Sequence, residues 1–249
     1  MDNLLAETIG TALLVLLGGG VVANVLLARS KGHNSGWIVI TVGWGVAVAV
    51  AIYAVGRISG AHLNPAVTIG LASIGSFAWT DVPGYIAAQV VGAFLGAALV
   101  WLAYLPHWAI TTDPGAKLGV FATGPAVRNP VANVTTEIIG TAVLVFGVLA
   151  IGANAQSLTR PNEIDLSVVF SHGLQPLLVG ILVLGIGVSL GGPTGYAINP
   201  ARDFGPRLAH ALLPIPGKGD SDWGYAWIPI VGPVIGGVLG ALLFKIVGF

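Results

Sequence analysis

Six runs of about twenty apolar residues, set apart by short polar or glycine-rich breaks, give the chain its pattern. They lie at about Leu4 to Leu27, closed by Arg29 and Lys31; Trp37 to Val55, closed by Arg57; Pro83 to Tyr104; Val134 to Ala153; Leu174 to Leu190; and Trp227 to Val247. A helix rises about 1.5 Å per residue and a bilayer core is about 30 Å thick, so each run is long enough to cross once. The third leads into a longer connection carrying Asp113-Pro114-Gly115 and Lys117, and the polar stretch Asn154 to Asp165 breaks the chain after the fourth.

Two breaks resemble each other. Ser59 to Gly70 reads SGAHLNPAVTIG and Gly195 to Gly205 reads GYAINPARDFG, so Asn64-Pro65-Ala66 recurs as Asn199-Pro200-Ala201. Small residues suit an irregular backbone. Asn followed by Pro is a helix start, because Asn caps and Pro loses nothing at the first helical position. The helices that follow, about Asn64 to Ser73 and Asn199 to His210, are too short to span. Two half-length helices are predicted, each reached through irregular backbone that must line something wet or lie within protein, since lipid cannot satisfy its N–H and C=O groups.

The larger pattern also repeats. Glu7-Thr8-Ile9-Gly10-Thr11-Ala12 matches Glu137-Ile138-Ile139-Gly140-Thr141-Ala142 at an offset of 130 residues, the Asn-Pro-Ala triplets match at 135, and Val91-Gly92 matches Val231-Gly232 at 140. One unit of span, span, half-helix and span is therefore duplicated, over about 1–110 and about 130–249, within a single domain covering 1–249. Three full spans per unit is an odd number, so the second unit enters from the opposite face. The expected fold is an all-α membrane protein, six transmembrane helices plus two half-helices in an inverted repeat, whose half-helix N-termini meet near the midplane.

Composition sharpens this. The 249 residues are 55% hydrophobic and only 8% charged, with 37 Gly, no net charge and a mean hydropathy of +0.89, against about 25% charged in a soluble domain. Neutrality argues against nucleic acid as a partner. The absence of Cys excludes disulfides and thiolate metal sites. His33, His107, His172 and His210 sit at or near loop ends without metal spacing, and no cofactor is expected. MDNLLAETIG lacks a basic leader region, so no cleaved signal peptide is expected. Asn133-Val134-Thr135 fits a glycosylation acceptor but abuts a span.

Chemistry follows from the helix ends. Each half-helix N-terminus carries about +0.5 elementary charge, so two facing one point repel cations. Asn64 and Asn199 are expected to cap with their carbonyl oxygens and to offer amide N–H groups to a passing oxygen, which hinders proton relay along a water file. Glu7 and Glu137 lie inside apolar spans at matched positions, where a carboxylate is paired or functional. They are expected to accept bonds from the two irregular loops, with proton relay as the alternative.

Twice-repeated Asn-Pro-Ala within duplicated three-span units resembles the aquaporin (major intrinsic protein) family over essentially the whole chain. The resemblance implies half-helices back to back beside a narrow pore, a homotetramer with one pore per subunit, and a ladder of carbonyl acceptors from Gly60, Ala61 and His62 and from Gly195, Tyr196 and Ala197. A satisfied interfacial histidine is a second reading of His62. Arg202, three residues after Asn199, matches the family's pore arginine, and the family's spacing puts the rest of a selectivity ring on Trp44, Gly187 and Tyr196. Trp44 has a second reading as an interfacial anchor. Gly187, where water-selective members resemble a ring with His, implies a wide ring, with Trp44 and Tyr196 as an apolar corner and Arg202 as a donor edge.

Asp203, Arg207 and the pair Pro229-Ile230 resemble glycerol facilitators, as Tyr104 does more weakly; Tyr196 departs from their usual Phe. The resemblance thus implies a passive channel, not an enzyme, for glycerol and other small uncharged solutes plus water, closed to ions and protons. Alternatives are a channel mainly for water, or for protonated lactic acid, hydrogen peroxide or urea, and, in another class, an ion-coupled secondary transporter. It also implies a multi-pass protein of the cell membrane with cytoplasmic termini. That side would hold Arg57, Arg160 and Lys245, against Arg29, Lys31, Lys117, Arg128, Arg207 and Lys218 opposite, a bias that favours the reverse orientation.

Overall fold

The computed structural model describes residues 2–156, 158 and 165–248, and every regular element among them is helical. In order they are α1 (Asn3–Leu26), α2 (Trp37–Ser59), α3 (Pro65–Ser73), α4 (Val82–Ala103), α5 (Leu105–Ile110), α6 (Pro114–Phe121), α7 (Pro130–Gln156), α8 (Leu166–Val169), a π-helical turn (Phe170–Leu174), α9 (Gln175–Leu190), α10 (Pro200–Leu212) and α11 (Ile228–Val247). Six stretches are long and apolar enough to span: α1, α2, α4, α7, the run from α8 through α9, and α11. The chain is an integral, multi-pass membrane protein. Helices α3 and α10 are the half-length pair, each with Pro at its start and Asn at its N-cap.

Element ends differ from the apolar runs for identifiable reasons. Arg57 does not close α2, which runs on to Ser59 and stops at Gly60, a left-handed residue with φ of 82°. The fifth span begins at Leu166, where the Asp165 carboxylate accepts from Ser167 N. The connection after the third span holds two short helices, and Asp113 caps α6 by accepting from Gly115 N at 2.8 Å, with Pro114 first. Most of the polar stretch 154–165, Arg160 included, lies outside the described residues.

Helix α1 packs on α2 and α4, α7 on α9 and α11, and α2 meets α9 across the middle; α3 rests on α11 and α10 on α4. Apolar lipid supplies little hydrophobic drive between spanning helices, so these contacts depend on close backbone approach at small residues. A Cβ on Gly92 would lie 2.3 Å from the Thr8 carbonyl and one on Gly96 2.4 Å from that of Ala12. On the other side, Gly236 stands in the same relation to Ile138 at 2.3 Å and Gly240 to Ala142 at 2.4 Å.

These contacts correct the repeat register. Thr8 and Ala12 correspond to Ile138 and Ala142, so Gly92 corresponds to Gly236, not Gly232, and the last helices are offset by 144 residues rather than 140. The half-helices agree: a Cβ on Gly70 would lie 2.8 Å from Gly237 O, and one on Gly205 2.7 Å from Ala93 Cβ, which pairs Ala93 with Gly237 at the same offset. Glycines at 232, 236 and 240 fall one above another on a helix face, so a slip of about one turn leaves the pattern intact.

Candidate functional site: two re-entrant loops and the cavity between them

The loops before α3 and α10 share a backbone that side chains resist. Gly60, Ala61 and Leu63 have φ of 82°, 49° and 53°, and Gly195, Tyr196 and Ile198 have 78°, 40° and 43°. Positive φ is uncommon outside glycine and an outlier for a β-branched residue such as Ile198; each instance costs about 1–3 kcal/mol and persists only when its surroundings hold it.

Two buried carboxylates hold them. Glu7 accepts from His62 N at 3.0 Å and Leu63 N at 2.7 Å, and also from Ser59 Oγ at 2.6 Å and Gln89 Nε2 at 2.8 Å. Glu137 accepts from Ala197 N at 3.0 Å and Ile198 N at 2.8 Å. With their N–H groups drawn inward at 62, 63, 197 and 198, the loops keep their carbonyls for elsewhere. Among the described residues, no protein group donates to the carbonyls of Gly60, Ala61, His62, Gly195, Tyr196 or Ala197.

The two asparagines lock the loops together. Asn64 Oδ1 accepts from Ala66 N at 2.8 Å, while its Nδ2 donates to Ile198 O at 2.8 Å. Asn199 mirrors it, accepting from Ala201 N at 3.0 Å and Arg202 N at 3.2 Å and donating to Leu63 O at 2.8 Å. Amide N–H groups able to donate to a passing oxygen are the expectation from the sequence. One hydrogen of each is committed across to the other loop, leaving the second. The crossing also brings the N-termini of α3 and α10 face to face, each with about half a positive elementary charge.

A cavity of about 310 Å³ runs along this junction. Its lining joins the loop and cap residues Gly60, Ala61, His62, Asn64, Ala197 and Asn199 to the apolar helix side chains Val48, Ile52, Leu144, Val148, Val179 and Val183. It is lined from Trp44 to Arg57 of α2, fourteen residues or about 20 Å of helix. Near Arg57 it is also lined by Ser171 and His172 of the π-helical turn and by Gln175; π-helical turns are often found at functional sites.

At the other end lie Trp44, Tyr196 and Arg202. The Arg202 guanidinium carbon sits 4.0 Å from the centre of the Trp44 ring, and Nη1 donates to Phe121 O at 3.3 Å. Trp44 can lie flat against α1 because Gly18 has no side chain: a Cβ there would come within 2.3 Å of the ring. Gly187 does not line the cavity. A Cβ on it would meet Tyr196 Cζ at 2.8 Å and Thr41 Cγ2 at 2.9 Å, so the Tyr196 ring packs into the room that glycine leaves. The Tyr196 hydroxyl is buried and finds no hydrogen-bond partner among the described residues.

Gly195 also lies off the cavity, its missing Cβ pointing at Thr123, 3.4 Å away. His62 lines the cavity yet is held on its other side, its Nδ1 3.1 Å from Thr68 Oγ1 and its ring 4.7 Å from Phe77 and 5.0 Å from Tyr85. No cluster of metal-ligating side chains exists among the described residues.

Several participants escaped sequence reasoning. Gln89, fully buried in α4, joins Glu7 to Thr68 Oγ1; as an amide inside an apolar run it could have been singled out. Leu63 and Ile198, whose carbonyls take the asparagine amides, carry no such signal.

The model of the major intrinsic protein family matches residues 1–244. The chain is 67% identical over 245 residues to a probable glycerol uptake facilitator protein of Thermotoga maritima, covering 98% of this chain and 99% of that protein. It is 58% identical to the glycerol uptake facilitator protein of Bacillus subtilis, covering 96% and 82%. Its fold superposes on the X-ray structure of the aquaglyceroporin from Plasmodium falciparum with a TM-score of 0.83 at 30% identity, covering 98% and 94% of the two chains. With the whole architecture and nearly all of the sequence matched, this chain belongs to the major intrinsic protein family.

Proposed function

We propose that the chain is a passive channel for glycerol and similar small uncharged solutes, with water, and that the cavity is their route. The lining, polar and apolar together, carries the reading. A polyol has a carbon edge and a hydroxyl edge; Val48, Ile52, Val179 and Val183 face the first, while loop carbonyls, the asparagine amides and Arg202 exchange hydrogen bonds with the second. Trp44 and Arg202 form the narrowest ring with Tyr196, and Gly187 acts from behind by admitting the Tyr196 ring. The relatives named glycerol uptake facilitators support glycerol as a solute.

Two helix N-termini and Arg202 place positive charge along the route, which opposes cations. Each asparagine's remaining amide hydrogen can orient a water so that it accepts from both sides, which interrupts proton transfer. Glu7 and Glu137 are committed to loop backbone, and no carboxylate among the described residues lines the cavity to couple an ion. The assembly is a homotetramer in the cell membrane, with a route in each subunit and cytoplasmic termini.

Purified protein in liposomes tests the reading. Glycerol should enter without any ion gradient and in proportion to its concentration. Uptake that requires a sodium or proton gradient and saturates at low concentration would make the protein a transporter. Because Tyr196 narrows the ring, the panel should include urea, hydrogen peroxide and protonated lactic acid beside glycerol.

A further inference from the structure

A buried charged cluster lies just beyond Arg202, away from the cavity. Asp203 and Arg207, four residues apart on α10, have no exposed surface, and Nε meets Oδ1 at 2.8 Å. Removing such a pair from water costs about as much as its attraction returns, so the pair by itself is no argument for stability. What it grips is more telling. Asp203 Oδ2 accepts from both the N–H and the Oγ1 of Thr123, each at 2.7 Å, and Arg207 Nη2 donates to the Thr123 carbonyl at 2.8 Å. Every polar atom of Thr123 is therefore held. Arg207 Nη1 adds Ser221 O at 2.8 Å and Asp222 O at 3.1 Å, tying in the segment before α11.

Thr123 touches the ring from two sides. It lies two residues after Phe121, whose carbonyl accepts from Arg202, and its side chain lies 3.4 Å from where a Cβ on Gly195, the neighbour of Tyr196, would stand, in packing contact with that turn. Three residues further on, Ala126 N donates to Pro193 O at 2.9 Å, fastening the same segment to the start of the second loop. We propose that Thr123, clamped by Asp203 and Arg207, is a positioning residue that sets the aperture at Arg202 by fixing both the Phe121 carbonyl and the Gly195 turn. This rests on the reading of the cavity as a solute route.

Thr123→Val keeps the shape but removes the hydroxyl that Asp203 grips, Thr123→Ala does so without a methyl beside Gly195, and Thr123→Ser keeps the hydroxyl. In liposomes, the permeability ratio of glycerol to a four-carbon polyol should fall at least threefold in the Val and Ala variants, with water permeability within twofold of the parent. The Ser variant should restore the parent ratio, which a merely structural role would not require. Unchanged ratios in Val and Ala, or a Ser variant as altered as they are, would overturn the positioning role alone. A parent protein that passes no glycerol would overturn it together with the proposed function.

Discussion

Replacing Glu7 with Gln probes how the first loop is held. The carboxylate is fully buried and serves four donors: Ser59 Oγ and His62 N on one oxygen, Leu63 N and Gln89 Nε2 on the other. Gln turns one of those oxygens into a donor. If the new NH₂ faces Ser59, that hydroxyl can rotate to accept it, but the His62 N–H is stranded. If it faces Gln89, that amide can flip to present its otherwise unpartnered Oε1, but the Leu63 N–H is stranded. Either way one buried backbone N–H is orphaned, at about 1–3 kcal/mol, and the remaining bonds lose the charge that roughly doubles their strength. A total of about 2–4 kcal/mol is expected, enough to release the strained φ of 53° at Leu63, whose carbonyl receives the Asn199 amide. Thermal unfolding in detergent should show a clearly lower midpoint, and water and glycerol fluxes in liposomes should fall together. An unchanged midpoint with unchanged fluxes would refute the bracing role, and selective loss of a proton-driven uptake would make Glu7 a relay instead.

Gly187→Ala should push the Tyr196 ring toward the cavity, since the new methyl would sit 2.8 Å from Cζ; glycerol flux should drop more than water flux in swelling assays, and equal losses would mean that Tyr196 does not border the route. Tyr196→Phe removes a buried hydroxyl that has no partner among the described residues, so stability should hold or rise and polyols should pass at least as fast. A fall in glycerol flux with assembly intact would make that hydroxyl a solute ligand. Arg128→Ala breaks an ion pair with Asp222 whose side chains are 57% and 26% exposed, so the unfolding midpoint should shift by no more than about 1 kcal/mol allows and the effect should vanish in high salt; a larger, salt-independent loss would contradict this.

The spans and half-helices were legible because each rests on a local rule: apolar length for the first, Asn-Pro at a helix start for the second. Glycine marks where backbones approach but not which turn approaches which, so the sequence pattern sets the last helix of the repeat one turn away from the register in which Gly92 meets Thr8 and Gly236 meets Ile138. A similar blindness affected Gly187. The chain shows that a side chain is missing there, whereas only the fold shows that Tyr196, nine residues later, has taken its place. Leu63 and Ile198 oppose their own conformational preferences, and the carboxylates that overrule them are 56 and 61 residues away. Thr123 lies 80 residues from Asp203 and no pattern along the chain joins them.

A single route is proposed to conduct neutral solutes while excluding charge. Its most direct test measures both in the same vesicles: liposomes holding the purified protein and an internal pH-sensitive dye are given opposing glycerol and pH gradients. Glycerol and water should equilibrate far faster than in protein-free vesicles while the pH gradient persists as it does through bare lipid. Collapse of that gradient at a rate comparable to water flux would contradict the account, because the crossed asparagines and facing helix ends would then not be barring the proton.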